Sequence, residues 1–332
     1  MTEPAADGLQ LTHEHGLALR ISHRDQELAR YVYQPWDPQL ESPRPYFHPV
    51  RTLSGDVVSL FRPHDHVWHK GIAFSLPNMG RPGDPEQENF WGGVTYLRGR
   101  GYEQLDNNGT IRHREFTELD ASPKRVDVAH RLDWLTQAGD TWFDEHRAFG
   151  VSVDGGAWVL SYTTVLRNVS GGAIAIGSPT TQGRENAGYG GLFWRGPRSF
   201  TGGTVITSGV TGGDELMGSR ASWLGFTGQH DDHGRFSTVL FVDSPHNSGH
   251  PTQWFVRSQP YACVCPAPFF DTETEIADGD ALTLRYAVVV ADGAPGPDGG
   301  SGLAELGRAA LAESAAGLAE PETSAPAHGG GS

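Results

Sequence analysis

The sequence predicts an all-β protein, a large antiparallel β-sandwich, and three observations carry that prediction. Apolar residues alternate with period two in segment after segment, and glycine- and aspartate-rich turns separate those segments. Nothing between them has the length and 3.6-residue period of a crossover helix, which disfavours a doubly wound nucleotide fold. The 44 glycines and 22 prolines among 332 residues punctuate the chain as many short strands require. Hydrophobic residues at 37% supply a sizeable core. All-β sandwiches often run to roughly 250 residues as one unit, so one domain over residues 9–293 is expected.

In chain order, residues 1–8 are expected to fray. Leu11, His13, His15, Leu17, Leu19 and Ile21 share one face of an extended segment, read as a single early strand. The alternation returns over 128–134, 142–153, 158–166, 173–176, 237–242, 261–264 and 282–290. Turn signals lie between, at Asp154-Gly155-Gly156, 168–172, Gly202-Gly203, Gly212-Gly213, 231–234 and Asp278-Gly279-Asp280. Past residue 290 the composition shifts to Gly, Pro, Ala and Ser, giving a flexible tail over 294–332. Within it Leu303, Leu306, Ala310 and Leu311 pattern a short amphipathic helix over 303–311, either docked on the sandwich or unfolded.

A net charge of −15 with no compact Lys/Arg run repels phosphate backbones and anionic lipid, excluding nucleic acid and membrane surfaces as partners. No stretch approaches the ~20 apolar residues of a membrane helix and no basic-then-apolar leader begins the chain, so a cytoplasmic location is expected. Cys263 and Cys265, two apart on a strand, share a face without disulfide geometry and read as reduced, buried thiols.

Three segments concentrate chemistry. In Pro63-His64-Asp65-His66-Val67-Trp68-His69-Lys70-Gly71, an extended chain puts His64 and His66 on one face, whereas a bend lets all three imidazoles converge. Imidazoles serve acid/base work near neutral pH, sugar binding or metal ligation, and equally cap turns. In the second segment Glu88 and Asn89 precede Phe90, Trp91 and two glycines, a loop able to put a polar group at a pocket rim. The third, 183–196, sets Arg184, Glu185, Asn186, Tyr189, Trp194 and Arg195 among glycines that admit close backbone approach. Its spacing is not that of a phosphate-binding loop, and Arg184–Glu185 also reads as an ion pair over a turn. Lesser candidates are His113, His246, Arg257 and the pair Glu145 and Arg147, which share a strand face as site residues or as a salt bridge.

The longer motifs carry a resemblance. Pro45-Tyr46-Phe47-His48-Pro49-Val50-Arg51-Thr52, the histidine segment, Asn89-Phe90-Trp91-Gly92-Gly93, residues 188–195, and Trp254-Phe255-Val256-Arg257 with Pro266-Ala267-Pro268-Phe269-Phe270 together resemble the bacterial family labelled "methane oxygenase PmoA" over residues 9–293. The resemblance implies a galactose-mutarotase-like supersandwich and a functional link to a sugar dehydrogenase. Relatives carry a further His where Lys70 stands, which argues against that position as a metal ligand here.

The expected function is a carbohydrate-active enzyme working on a sugar or keto-sugar by His/carboxylate acid–base chemistry, of epimerase, lyase or glycosidase type. His66 and His69 are the acid/base candidates and Glu185 or Glu145 the carboxylate. His64, Asn89, Trp91, Arg184, Asn186, Tyr189, Trp194, Arg195 and Arg257 are the substrate-binding candidates. Two alternatives stand beside it: a non-catalytic carbohydrate-binding or sensing module, and a metal-dependent oxidoreductase ligated by His64, His66 and His69, as the oxygenase label suggests. No cofactor is predicted, and the partner is a small sugar-like molecule. All of this requires segments around residues 66, 89, 185 and 257 to meet across one concave sheet surface.

Overall fold

The computed structural model describes residues 8–296 and 298–317. Two large antiparallel sheets dominate it. The first joins, in spatial order, Leu9–Glu14, Ala18–His23, Gln26–Val32, Tyr46–Val50, Ile72–Ser75, Gly191–Arg195, Cys263–Pro266 and Trp254–Arg257. The second joins Thr110–Ala121, Arg125–Leu135, Thr141–Asp154, Ala157–Asn168, Ala281–Asp292, Phe236–Asp243, Trp223–Gln229, Thr204–Thr207 and Val210–Gly212. The expected all-β antiparallel sandwich is therefore what the chain forms.

The single early strand is in fact a hairpin. Leu9–Glu14 pairs with Ala18–His23, Leu9 opposite His23. Gly16, at φ 74°, turns the chain between them, and its N–H donates to the Tyr33 hydroxyl (2.6 Å). Alternation alone hid the reversal, because the apolar residues on either side of the turn face the same core.

Side chains leave a strand alternately on its two faces, and this parity sorts the molecule into layers. Between the sheets lies the main core, with Leu192, Trp194, Trp254, Val256 and Val264 from the first sheet meeting Val128, Trp134, Trp158, Leu160, Tyr286 and Val288 from the second. On the outer face of the second sheet Val159, Val242, Val289 and Ala291 pack against a helix, Ser301–Gly317, through Leu303, Ala304, Leu306, Ala310 and Leu311. The helix is longer than the 303–311 expected and docked. Asp298 starts it by accepting the N–H groups of Gly300 (3.2 Å) and Gly302 (2.7 Å), and its Ala/Leu/Glu-rich run favours helix beyond residue 311. This corrects the tail's expected flexibility at 301–317; residues 1–7 and 318–332 lie outside the described residues. Among the described residues, no helix is long and apolar enough to cross a membrane.

On the outer face of the first sheet, Phe193, Phe255, Cys263 and Cys265 form a third apolar layer with Trp91, Ala267 and Phe270. Both cysteines are buried and free, as expected, and burial raises both thiol pKa values. Here the chain leaves its cavity.

Candidate functional site

Residues 62–70 fold as successive tight turns. His66 N donates to Pro63 O (3.1 Å), His69 N to His66 O (2.9 Å) and Arg62 N to His69 O (2.9 Å). Buried Arg44 anchors the loop by donating to Trp68 O (2.6 Å) and to the carbonyls of Glu41 and Ser42. Two imidazoles converge rather than three. The His66 and His69 rings stack at 4.7 Å with 10° between their planes, while His64 points away and is exposed.

Beside them Asn89 acts as a template. Its Oδ1 accepts the N–H groups of Trp91 and Gly92 (both 2.9 Å), and its Nδ2 donates to Thr95 Oγ1 (3.1 Å). The turn so formed presents Trp91 to the cavity. Gly93 closes it at φ 71°, where a Cβ would lie 2.6 Å from the Trp68 ring, so only glycine admits this approach.

The resulting cavity, of about 390 Å³, is lined by His66, Trp68, His69, Trp91, Gly92, Val94, Tyr102, Arg184, Tyr189, Phe193, Phe255, Arg257, Pro260 and Tyr261. It lies within the roughly 300–1,000 Å³ of small-molecule sites. A second concavity, of about 340 Å³ on the other sheet, is lined by Arg125, Asp127 and Glu313, among others. Its Arg125 is already held by Asp127 (2.7 Å) and Glu313 (3.5 Å), so its one cation is spoken for.

Arg195 organises the histidine side of the cavity. It is 1% exposed and lies with its guanidinium 3.8 Å from the Tyr261 ring centroid. Its Nη2 donates to both oxygens of Asp65 (3.1 and 2.9 Å), and its Nη1 donates to His69 Nδ1 (2.9 Å). A guanidinium only donates, so His69 Nδ1 accepts and the neutral ring carries its proton on Nε2. Burial first, then the charges of His66 and Arg195, hold the His69 pKa well below 6.5. His66 Nδ1 lies 3.2 Å from Asp65 Oδ2. Burial lowers the His66 pKa, against the opposing pull of Asp65. Asp65 itself is held down to about 2: partial desolvation raises it, but the hydrogen bonds from Arg195 and the nearby His66 ring outweigh that.

On the opposite wall Arg184 donates to the Tyr102 hydroxyl and stands over its ring, and the Tyr102 and Tyr189 hydroxyls are 2.9 Å apart. Arg257 lies over the Phe255 ring at 5.5 Å.

Of the sequence candidates, His66, His69, Trp91, Arg184, Tyr189 and Arg257 line this one cavity, and Arg195 braces it. Asn89 supports the wall from behind. Four others are corrected. Glu145 is 0% exposed between the two sheets, fastened to Arg147 (2.7 Å), and does not line the cavity. Trp194 faces inward by strand parity, donating through Nε1 to Val58 O (2.7 Å). Glu185 and Asn186 are exposed on a loop that turns outward, Asn186 at φ 52°. The metal alternative loses its third ligand with His64. Among the described residues no group of three or more His, Cys, Asp or Glu is placed to hold a metal ion, and the Arg195 guanidinium already occupies His69 Nδ1. Sequence reasoning passed over Asp65, Tyr102, Phe193 and Tyr261. Asp65 stood within the histidine segment, whereas isolated tyrosines offered no signal.

A family model described as a family of unknown function, DUF6807, matches residues 18–305. This corrects the resemblance to the family labelled methane oxygenase PmoA, and the dehydrogenase link inferred from that resemblance goes with it. No curated protein matches the sequence. Among solved structures, an α-galactosidase of Geobacillus stearothermophilus is 11% identical with a TM-score of 0.39, covering 85% of this chain and 41% of that one. A galactose 1-epimerase of Lactobacillus acidophilus is 6% identical with a TM-score of 0.40, covering 87% and 100%. A galactose mutarotase related enzyme of Lactobacillus acidophilus is 8% identical with a TM-score of 0.31, covering 85% and 97%. The chain spans about two fifths of the length of the α-galactosidases it matches. Likenesses of this size leave substrate and reaction to be argued from the site.

Proposed function

The chain belongs to the DUF6807 family, which brings no activity with it, and we propose from the cavity's own chemistry that the protein is a carbohydrate-active enzyme that moves a proton on a bound sugar or keto-sugar. The observation that carries this reading is the pair of stacked imidazoles held in different states beside aromatic walls.

Asp65 beside Nδ1 favours a proton there on His66, which leaves Nε2 as a lone pair, the form a general base needs. His69, fixed by Arg195 with its proton on Nε2, is a neutral hydrogen-bond donor suited to polarising a carbonyl or ring oxygen. Arg195 is a positioning residue: it sets the His69 tautomer and holds Asp65. Trp68, Trp91 and Tyr261 supply the apolar faces on which a sugar ring packs. Asp65 takes the carboxylate role expected of Glu185 or Glu145. Hydrolysis by paired carboxylates requires two such groups flanking the scissile bond, and the lining contains neither Asp nor Glu. The reading therefore narrows to proton transfer of the epimerase or lyase type.

The test is His66→Ala, purified and shown folded by circular dichroism, against a panel of sugars followed by NMR. Turnover falls by about 10²-fold or more while ligand binding persists. Unchanged turnover removes His66 from the chemistry, and a sugar that binds the native protein but is never converted makes the cavity a binding module.

A further inference from the structure

We infer that the ligand of this cavity carries a carboxylate, as a sugar acid does, gripped by Arg257 and Arg184. The inference deepens the sugar reading above and rests on it.

The protein as a whole is acidic, with 40 Asp and Glu against 25 Lys and Arg. Its cavity is the reverse: two guanidiniums line it and no carboxylate does. Asp65, the carboxylate beside it, is committed to Arg195 at 2.9 Å and 3.1 Å. Several other enclosed arginines are matched by acids, Arg30 by Glu14, Arg125 by Asp127 and Arg147 by Glu145, while buried Arg44 is satisfied by three backbone carbonyls. Among the described residues, Arg257 has neither a hydrogen bond nor an ion pair through its side chain, only the Phe255 ring beneath it. Arg184 donates to one phenol and to no carboxylate.

A guanidinium has five N–H donors in a rigid fork that matches a carboxylate edge, and leaving it partly desolvated and unpaired is costly. The Arg184 guanidinium stands 4.7 Å over the Tyr102 ring and that of Arg257 5.5 Å over the Phe255 ring, which keeps both at the cavity before any ligand arrives. Both arginines share their cavity with His66, and the Arg257 charge acts on that ring. A carboxylate bound there lies on the same ligand that the imidazoles address. In a sugar acid the carbon bearing the carboxylate holds the proton that such a pair of imidazoles is placed to move.

The experiment is calorimetric titration of the full chain with D-glucuronate and D-galacturonate, D-glucose and D-galactose, and glucose 6-phosphate. It is repeated with Arg257→Gln, Arg184→Gln and, as a control on the exposed surface, Arg198→Gln. At least one uronate binds about tenfold or more tightly than its neutral sugar, the range a charge-assisted pair provides. Arg257→Gln erases that advantage and leaves neutral-sugar affinity in place, Arg198→Gln changes nothing, and added salt weakens the uronate selectively.

Equal affinity for acid and neutral forms, equal weakening of both by Arg257→Gln, preference for the phosphate, or no uronate binding at millimolar concentration each overturns the inference. The two readings fail separately. Neutral sugars that bind and turn over through His66 keep the enzyme reading and sink this one. Lactate competing as well as a uronate keeps the carboxylate grip and sinks the sugar.

Discussion

Two arginines, Arg147 and Arg195, are each 1% exposed, and their surroundings differ in one decisive respect. Arg147 is enclosed between the sheets. Its Nε and Nη2 donate to the two oxygens of Glu145 (2.7 and 2.9 Å), and its Nη1 to Tyr31 Oη (3.1 Å). Trp134 Nε1 and Thr164 Oγ1 complete Glu145 (2.7 and 2.8 Å), and the chain continues from Tyr31 to His130 (2.9 Å). Arg195 holds an aspartate and an imidazole at the cavity edge, and its Nε has no partner among the described residues. The closed network ties strands of both sheets together, whereas the open one leaves an imidazole donor free. Strand parity thus decides whether each buried charge is enclosed between the sheets or faces the cavity.

The sharpest way to break this comparison is Glu145→Gln. Arg147 then keeps a buried charge without its counter-ion, and stability falls by about 3–5 kcal/mol in urea unfolding. A loss below about 1 kcal/mol would mean that the network is not closed and that Glu145 belongs among candidates for chemistry.

Acid comes next. His130 in the closed network and His69 in the open one have pKa values well below 6.5, in each case from burial first and neighbouring positive charge second. His48 and His113 are lowered to about 4, also chiefly by burial. All four are neutral when folded and take up protons when unfolded below pH 6.5, so the unfolded state binds more protons there. The contribution of these four rings is thus complete above pH 6.5 and declines as pH falls from 6.5 toward 4. His69 and His130 each contribute a slope of roughly 1 kcal/mol per pH unit. Urea midpoints that do not move between about pH 6.5 and about pH 4.5 would contradict the enclosure of both rings.

The sandwich was legible because a half-buried strand must alternate, and residues 128–134 and 142–153 do so inside the strands observed. The cavity strands Ile72–Ser75 and Gly191–Arg195 are buried on both faces, so their sequences show no alternation to read. Parity would have separated Trp194 from Arg195, since neighbours on a strand face opposite ways. Nothing local tells which face is the core: Glu145 and Arg147 do share a side, and it is the inner one. The partnership of Asp65 with Arg195, 130 positions apart, exists only in the folded chain.

Asp65→Asn has the smallest effect on the fold and the most pointed effect on the site. The Asp65 side chain is 28% exposed, so water compensates Arg195 in part and the cost is about 1–3 kcal/mol, below that of Glu145→Gln. An asparagine oxygen still accepts one hydrogen bond, so the loop geometry holds while the negative charge goes. Burial lowers the His66 pKa and Asp65 raises it, with Arg195 and Arg257 acting in the same direction as burial. Removing the aspartate charge therefore drives His66 still lower in an NMR titration, making it a weaker base with a less defined tautomer. If the His66 pKa is unmoved, Asp65 serves Arg195 alone and the two histidines lose the asymmetry on which their separate roles depend.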